Sequence, residues 1–197
     1  MWYRSFRALF RAFFAVLYRW KVDGLEHIPK EGPVVICSNH INNLDPPLVG
    51  SALQRPIRFM AKEELFKIPV LSFLLPRFGA FPVKRGASDK RALKKSLQLL
   101  GKGEVLGVFP EGTRSKTGEL GEAHTGAAFI ALKGNATVIP AAIIGPYRLF
   151  RRVRIVFGPP LDLSDYRGNR FTSQAIREVT ERMMDRIGDL MADGSER

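Results

Sequence analysis

Short apolar runs repeatedly interrupt helix-patterned segments in this chain, and that alternation restricts the folds open to it. Residues 104–109, "EVLGVF", and 34–37, "VVIC", show almost no polar alternation. A strand of that kind is stable only when both of its faces are covered, as in a parallel sheet between helices. The spacing predicts further strands over 57–61, 80–83, 138–144 and 153–157. Helical patterns fall between them, over 46–54, 88–100 and 125–133. The 88–100 helix has Ser88 as a candidate cap, an apolar stripe of Leu93, Leu97 and Leu100, and Gly101 as its stop. A last helix carries Ile176, Val179, Met183, Ile187 and Leu190 at helical spacing. The expected architecture is therefore α/β: a single domain with a mainly parallel mixed sheet flanked by helices. At 197 residues the chain is long enough for a sizeable core.

The first 21 residues, "MWYRSFRALFRAFFAVLYRWK", contain aromatics and arginines and no acid. Arg4, Arg7 and Arg11 recur at helical spacing, and Phe6, Phe10, Phe13, Phe14 and Leu17 fill much of the remainder. The longest uncharged run, 12–18, is far short of the roughly 20 apolar residues that cross a bilayer. Arg19, Trp20 and Lys21 stand where a signal peptide would need small residues for cleavage. Two readings remain: an amphipathic helix at a membrane interface, or a first helix packed on the domain's own core. The arginines and the lack of acids favour the interface. The expected organisation is a membrane-associating helix over 1–22 and a catalytic domain over 23–197.

Thirty-one Lys and Arg against 19 Asp and Glu leave a formal charge of +12. Such a field attracts phosphate, whether on lipid, nucleic acid or an acidic carrier protein. No nucleic-acid-binding motif is present, and the aromatics gather in the first helix rather than along a basic groove, so nucleic acid is not an expected partner. The single cysteine, Cys37, excludes an internal disulfide and suits a reducing compartment. The lack of any Cys/His cluster predicts no metal site.

Three polar turns each follow an apolar run. "SNHINNLDPP" holds His40 and Asp45, "GAFPVKRG" ends in Lys84 and Arg85, and "VFPEGTRSKTG" holds Glu111, Gly112, Thr113 and Arg114. In a parallel sheet, loops after the strands' carboxyl ends share one edge, where such sheets bind ligands. That edge would hold an imidazole, two carboxylates and several cations, the components of a base beside a phosphate site. Asp45-Pro46-Pro47 also reads as a plain helix start, with Asp45 capping the first amides. The two roles are compatible.

These stretches together resemble the glycerolipid acyltransferase family. Asn39, His40 and Asp45 match its first motif, a His followed by four residues and then an Asp, usually introduced by Asn. Residues 79–85, GAFPVKR, resemble its second, which ends in a phosphate-binding arginine, and residues 109–115, FPEGTRS, match its third nearly letter for letter. Residues 138–142, VIPAA, resemble its fourth, and 62–66, KEELF, also look like the family. The likeness runs from about residue 24 to 144. Pro82 and Val83 replace bulkier residues in the second motif, and Ala141 and Ala142 are small for the fourth.

The resemblance implies a membrane-associated acyltransferase of phospholipid synthesis. It would move a fatty acyl group from an acyl carrier protein or coenzyme A thioester to the free hydroxyl of lysophosphatidic acid, making phosphatidic acid. His40 would be the general base and Asp45 its orienter. Arg85 and Arg114 would bind the acceptor phosphate, helped by Lys62 and Lys84. Glu111, Gly112 and Thr113 would shape the third loop, with Glu111 holding cations or a glycerol hydroxyl. No cofactor is implied beyond the thioester co-substrate. The expected partners are anionic membrane lipid, the lysolipid and the thioester, at the cytoplasmic face of the cell membrane. Alternative readings are transfer to glycerol-3-phosphate or another lysolipid, and a non-catalytic binder of anionic lipid. A covalent acyl-enzyme on Ser38 or Cys37 is disfavoured, because neither lies in a Gly-x-Ser-x-Gly elbow. His27 and His124 lack a partner at a telling spacing and are expected to be structural or surface residues.

Overall fold

A computed structural model describes residues 2–84, 89–166 and 172–195. In chain order, helix α1 (Trp2–Tyr18) leads into strand β1 (Lys21–Asp23) and, after a turn, β2 (Val34–Ser38). Helix α2 (Asp45–Ala52), β3 (Ile57–Lys62), α3 (Pro69–Arg77) and β4 (Ala80–Val83) follow. Then come α4 (Lys90–Leu100), β5 (Val105–Val108), α5 (Gly126–Lys133), β6 (Thr137–Ile144), β7 (Arg154–Phe157) and α6 (Ser173–Ser195). The seven strands form one sheet in the order β1-β7-β6-β2-β5-β3-β4. Every neighbouring pair is parallel except β6 and β7.

The unbroken apolar runs behave as their composition requires. Within β2, Val34 and Ile36 pack into one layer and Val35 and Cys37 into the other, so all five residues of the strand are buried. One layer is covered by α4, α5 and α6 through Ala92, Leu99, Ala128, Val179, Met183 and Ile187. The other is covered by α1 and α2 through Phe14, Tyr18, Leu48, Val49 and Ala52. This is the mixed, mainly parallel α/β domain that the alternation of segments predicts.

One local expectation needs correction. Helix α4 is capped by Asp89, whose carboxylate accepts from the amides of Arg91 and Ala92 at 2.9 and 3.1 Å; Ser88 lies outside the described residues. Those amides, together with that of Lys84, hold the Asp89 carboxyl below its ordinary pKa. Helix α1 packs on the domain through its aromatic face. Phe14 is fully buried, and Phe6 and Phe10 meet Phe78 at the end of α3 at 4.4 and 5.9 Å. Arg7 and Arg11 reach to the end of α2. Arg7 donates to the carbonyls of Leu53 and Gln54, and Arg11 to those of Ser51 and Ala52. They satisfy the C-terminal carbonyls of α2, where positive charge also meets the negative end of the helix dipole. Among the described residues, no helix is long and apolar enough to cross a membrane.

Candidate active site

Parallel pairing of β4, β3, β5, β2 and β6 brings their carboxyl ends to one edge of the sheet. His40 follows β2, and its ring Nδ1 lies 2.7 Å from Oδ2 of Asp45. The same oxygen accepts the amides of Ile41 and Asn42, each at 2.7 Å. Asp45 is fully buried. Its side chain therefore caps the preceding turn, not the helix it begins, and α2 starts instead on Pro46 and Pro47 with no side-chain cap. Five residues separate His40 from Asp45 because the intervening backbone folds back around the carboxylate. With Nδ1 committed to Asp45, Nε2 carries the free lone pair of the imidazole.

The other carboxylate oxygen has a partner that no motif announces. Tyr147, in the loop after β6, donates its hydroxyl to Oδ1 of Asp45 at 2.6 Å. Burial and the adjacent carboxylate push the phenol far above its ordinary pKa, so Tyr147 stays a proton donor. Its ring packs edge-on against Tyr18 of α1 at 5.7 Å. The signal that pointed this way was faint: a tyrosine in a Gly-Pro turn directly after an apolar run. Its distance along the chain, 102 residues from Asp45, hid the pairing.

Aromatic rings fix the face of His40. Phe109 stacks on the imidazole with centroids 4.1 Å apart, and Phe59 stacks on Phe109 at 5.8 Å. Gly107 of β5 stands in register with Phe59 of β3, and a Cβ there would lie 2.2 Å from the Phe59 ring. The glycine makes room for the stack. Asn39 anchors the strand end beneath by exchanging two hydrogen bonds with the backbone of Ile143, at 2.7 and 2.9 Å.

His40 opens on a cavity of about 540 Å³ whose wall is mostly apolar. Phe6 and Phe10 of α1, Leu71 and Leu75 of α3, and Phe59 and Phe109 line it, with Lys62 and Arg114 supplying cations. The cavity therefore joins a hydrocarbon-compatible interior to a base and a positive rim, the combination a lipid with an anionic head requires.

The remaining expected residues are distributed unevenly. Lys62 also pairs with Glu64 at 3.4 Å. Lys84, exposed at the end of β4, has its ammonium 3.9 Å from Glu63 and, among the described residues, is not part of the cavity wall. Arg85 lies outside the described residues. Glu111 is buried and braces two loops, Oε1 accepting from the amide of His40 at 3.0 Å and Oε2 from that of Gly121 at 2.9 Å. That is a different engagement from the expected grip on cations or a glycerol hydroxyl. Gly112 adopts a left-handed φ of 65°, where a Cβ would come within 2.9 Å of His124. Thr113 is exposed beside it. The amide of Ser115 closes the third loop onto the carbonyl of His40 at 2.7 Å.

Cys37 and Ser38 are both buried. The Cys37 thiol faces Met183 in the layer opposite the cavity, and burial pushes its pKa up to about 12. A thiol so placed is a poor nucleophile. His27 bonds the carbonyl of Phe157 at 2.8 Å, a structural role.

A family model described as "Acyltransferase" matches residues 19–144, the span that holds His40, Asp45, Lys62, Glu111 and Arg114. The chain is 33% identical over 176 residues to the 1-acyl-sn-glycerol-3-phosphate acyltransferase of Bacillus subtilis, covering 86% of this chain and 87% of that one. It is 37% identical over 131 residues to a chloroplastic 1-acyl-sn-glycerol-3-phosphate acyltransferase of Arabidopsis thaliana, covering 65% of this chain and 36% of the plant protein. The crystal structure of the 1-acyl-sn-glycerophosphate (LPA) acyltransferase PlsC from Thermotoga maritima superposes with a TM-score of 0.71 at 27% identity, over 94% of this chain and 79% of that one. The match of family model, fold and relatives leads to one conclusion: the chain belongs to the acyltransferase family.

Proposed function

We propose that this enzyme transfers a fatty acyl group from an acyl carrier protein or coenzyme A thioester to the free hydroxyl of 1-acylglycerol-3-phosphate, forming phosphatidic acid. The acceptor follows the names of the relatives. The observation that carries the mechanism is the His40–Asp45 pair, with Nδ1 held by a buried carboxylate on a residue that lines the cavity.

The acceptor hydroxyl gives its proton to Nε2 of His40 as its oxygen attacks the thioester carbonyl. Asp45 balances the imidazolium that forms. Collapse of the tetrahedral adduct expels the thiolate, which takes the proton back from Nε2, leaving ester and free thiol. Arg114 and Arg85 bind the acceptor phosphate, with Lys62 closer to the cavity than Lys84. The acyl chains occupy the apolar part of the cavity. The reaction takes place at the cytoplasmic surface of an anionic membrane, met through the acid-free helix α1, whose outer side leaves Leu9 and Val16 exposed.

The test is release of thiol from labelled acyl-thioesters, with acyl carrier protein and coenzyme A donors offered separately. The acceptors are 1-acylglycerol-3-phosphate, glycerol-3-phosphate and the monoacylglycerol lacking phosphate. Phosphatidic acid should be the main product. His40→Ala should lower turnover by a factor of about 10² to 10⁴ in a folded protein, and Asp45→Asn by less. Near-normal turnover in His40→Ala would sink the base assignment, and preference for glycerol-3-phosphate would change the acceptor.

A further inference from the structure

The segment between β6 and β7, residues 145–153, does more than connect two antiparallel strands. Arg148, Leu149, Phe150, Arg151 and Arg152 are all exposed. Leu149 and Phe150 are 59% and 64% accessible, an adjacent pair of large apolar side chains flanked by three cations. Phe150 adopts a left-handed φ of 62°, a conformation costly for a bulky residue. It is held there by its amide, which donates to the carbonyl of Leu17 at 2.6 Å. Val153 repeats the tie, its amide bonding Tyr18 at 3.0 Å. The tip is thus fastened to the C-terminal end of α1.

That attachment sets Phe150 at the C-terminal end of α1, a helix whose Val16 is 66% and Leu9 61% accessible, one above the other at helical spacing. The exposed cation Arg4 lies on the same helix, and exposed Arg19 follows directly after its end. No acidic residue occurs in the sequence before Asp23 or between Glu122 and Asp162, so neither segment contributes negative charge of its own. Large apolar side chains ringed by arginine, without acids, match a bilayer surface that offers acyl chains beneath anionic headgroups. An acidic soluble protein would satisfy the arginines but offer less to two protruding apolar side chains.

We infer that the Arg148–Arg152 tip is a second membrane contact, inserting Leu149 and Phe150 into the headgroup boundary of anionic bilayers alongside the outer side of α1. The inference rests on the reading of this enzyme as one that works at a membrane. Because the same loop contains Tyr147, bonded to Asp45, the two inserting side chains lie two and three residues from the active-site network.

The experiment uses the full chain and co-flotation with vesicles of phosphatidylglycerol and phosphatidylcholine, or of phosphatidylcholine alone. Leu149→Ser with Phe150→Ser should weaken partitioning onto the anionic vesicles by at least about tenfold. Acyl transfer to a short-chain, monomeric acceptor should stay unchanged. Arg148→Gln with Arg151→Gln and Arg152→Gln should flatten the salt dependence of binding. Leu9→Ser with Val16→Ser serves as the comparison. If that pair releases the protein and the tip variants float like wild type, the tip proposal is wrong and α1 alone is the contact. If wild type itself does not float, the membrane reading falls with it. Tip variants that keep vesicle binding but change the oligomeric state, or lose binding to an acidic acyl carrier protein, would equally overturn the lipid assignment.

Discussion

The hydroxyl of Tyr147 donates to Oδ1 of Asp45 at 2.6 Å, while Oδ2 of the same carboxylate receives His40. A buried carboxylate is thereby held at both oxygens, from two loops far apart in the chain. Tyr147→Phe removes only the hydroxyl and leaves Oδ1 without this donor. We expect a stability loss of about 1–3 kcal/mol, the cost of an unpaired buried polar atom. Turnover should fall by a factor of roughly 3 to 30, with the acceptor KM little changed and the pH profile of turnover displaced. A variant that melts earlier yet keeps the wild-type profile would show Tyr147 to be structural only.

Phosphate recognition is tested through Arg114, on the cavity wall, and Arg85, which the sequence motif singles out. Guanidinium grips phosphate oxygens in a two-pronged geometry that an ammonium cannot copy. A hydrogen bond to a charged group contributes about 1.5–3 kcal/mol, so Arg114→Ala or Arg85→Ala should cost roughly 10- to 150-fold in kcat/KM for lysophosphatidic acid. The same changes should matter little for the monoacylglycerol lacking phosphate, and Arg→Lys should recover only part. The quantity to measure is the ratio of efficiencies for the two acceptors. A constant ratio, with both activities falling alike, would assign these arginines to the fold or the donor.

Gly107 is the smallest residue beneath the stack of Phe59, Phe109 and His40. Gly107→Ala forces the Phe59 ring aside, and overpacking of this kind costs about 1–3 kcal/mol. Because the displaced ring supports Phe109 and through it the imidazole, turnover should fall along with the melting temperature. Phe59→Leu in the same chain makes space for the new methyl and should restore stability more fully than activity. Wild-type turnover in Gly107→Ala would mean that the stack does not position His40.

Cys37 links stability to alkaline pH. Its thiol is held protonated to about 12 in the folded protein, against an ordinary value of 9.0. The unfolded chain therefore releases this proton first as pH rises, and the folded state loses relative stability between those two values. The slope approaches about 1.4 kcal/mol per pH unit within that window. A difference curve between wild type and Cys37→Ala, from denaturant melts at pH 8 to 11, should isolate it. Alkylating reagents at pH 8 should label Cys37 only after unfolding.

The sheet was readable because its strands are buried on both faces, which leaves apolar runs that no surface segment would tolerate. His40 and Asp45 could be picked out because their geometry is local, closed by backbone amides within one turn. What the sequence hid was long-range or dual-purpose. Arg7 and Arg11 carry the composition of a lipid-facing helix, yet their guanidinium groups serve carbonyls of α2. Glu111 has the charge of a ligand-binding group but spends both oxygens on backbone amides. Ser88 and Asp89 are both good caps, and only the backbone decides between them. Tyr147 is invisible without the sheet, since only the parallel pairing of β2 and β6 brings its loop over Asp45.

The pairing of β1 with β7 has a consequence for how the molecule is made. Residues 21–23 find their partners at 154–156, and α1 is fastened at its end by Phe150 and Val153. A ribosome synthesises α1 well before the segments that secure its end. At typical elongation rates the helix waits on the order of ten seconds for them. Throughout that interval its aromatic face has neither β7 nor the 145–153 loop to close against. On the proposed membrane role, a nascent chain near a bilayer would meet lipid before it meets its own edge strand, making delivery to the membrane and completion of the sheet successive events in one synthesis.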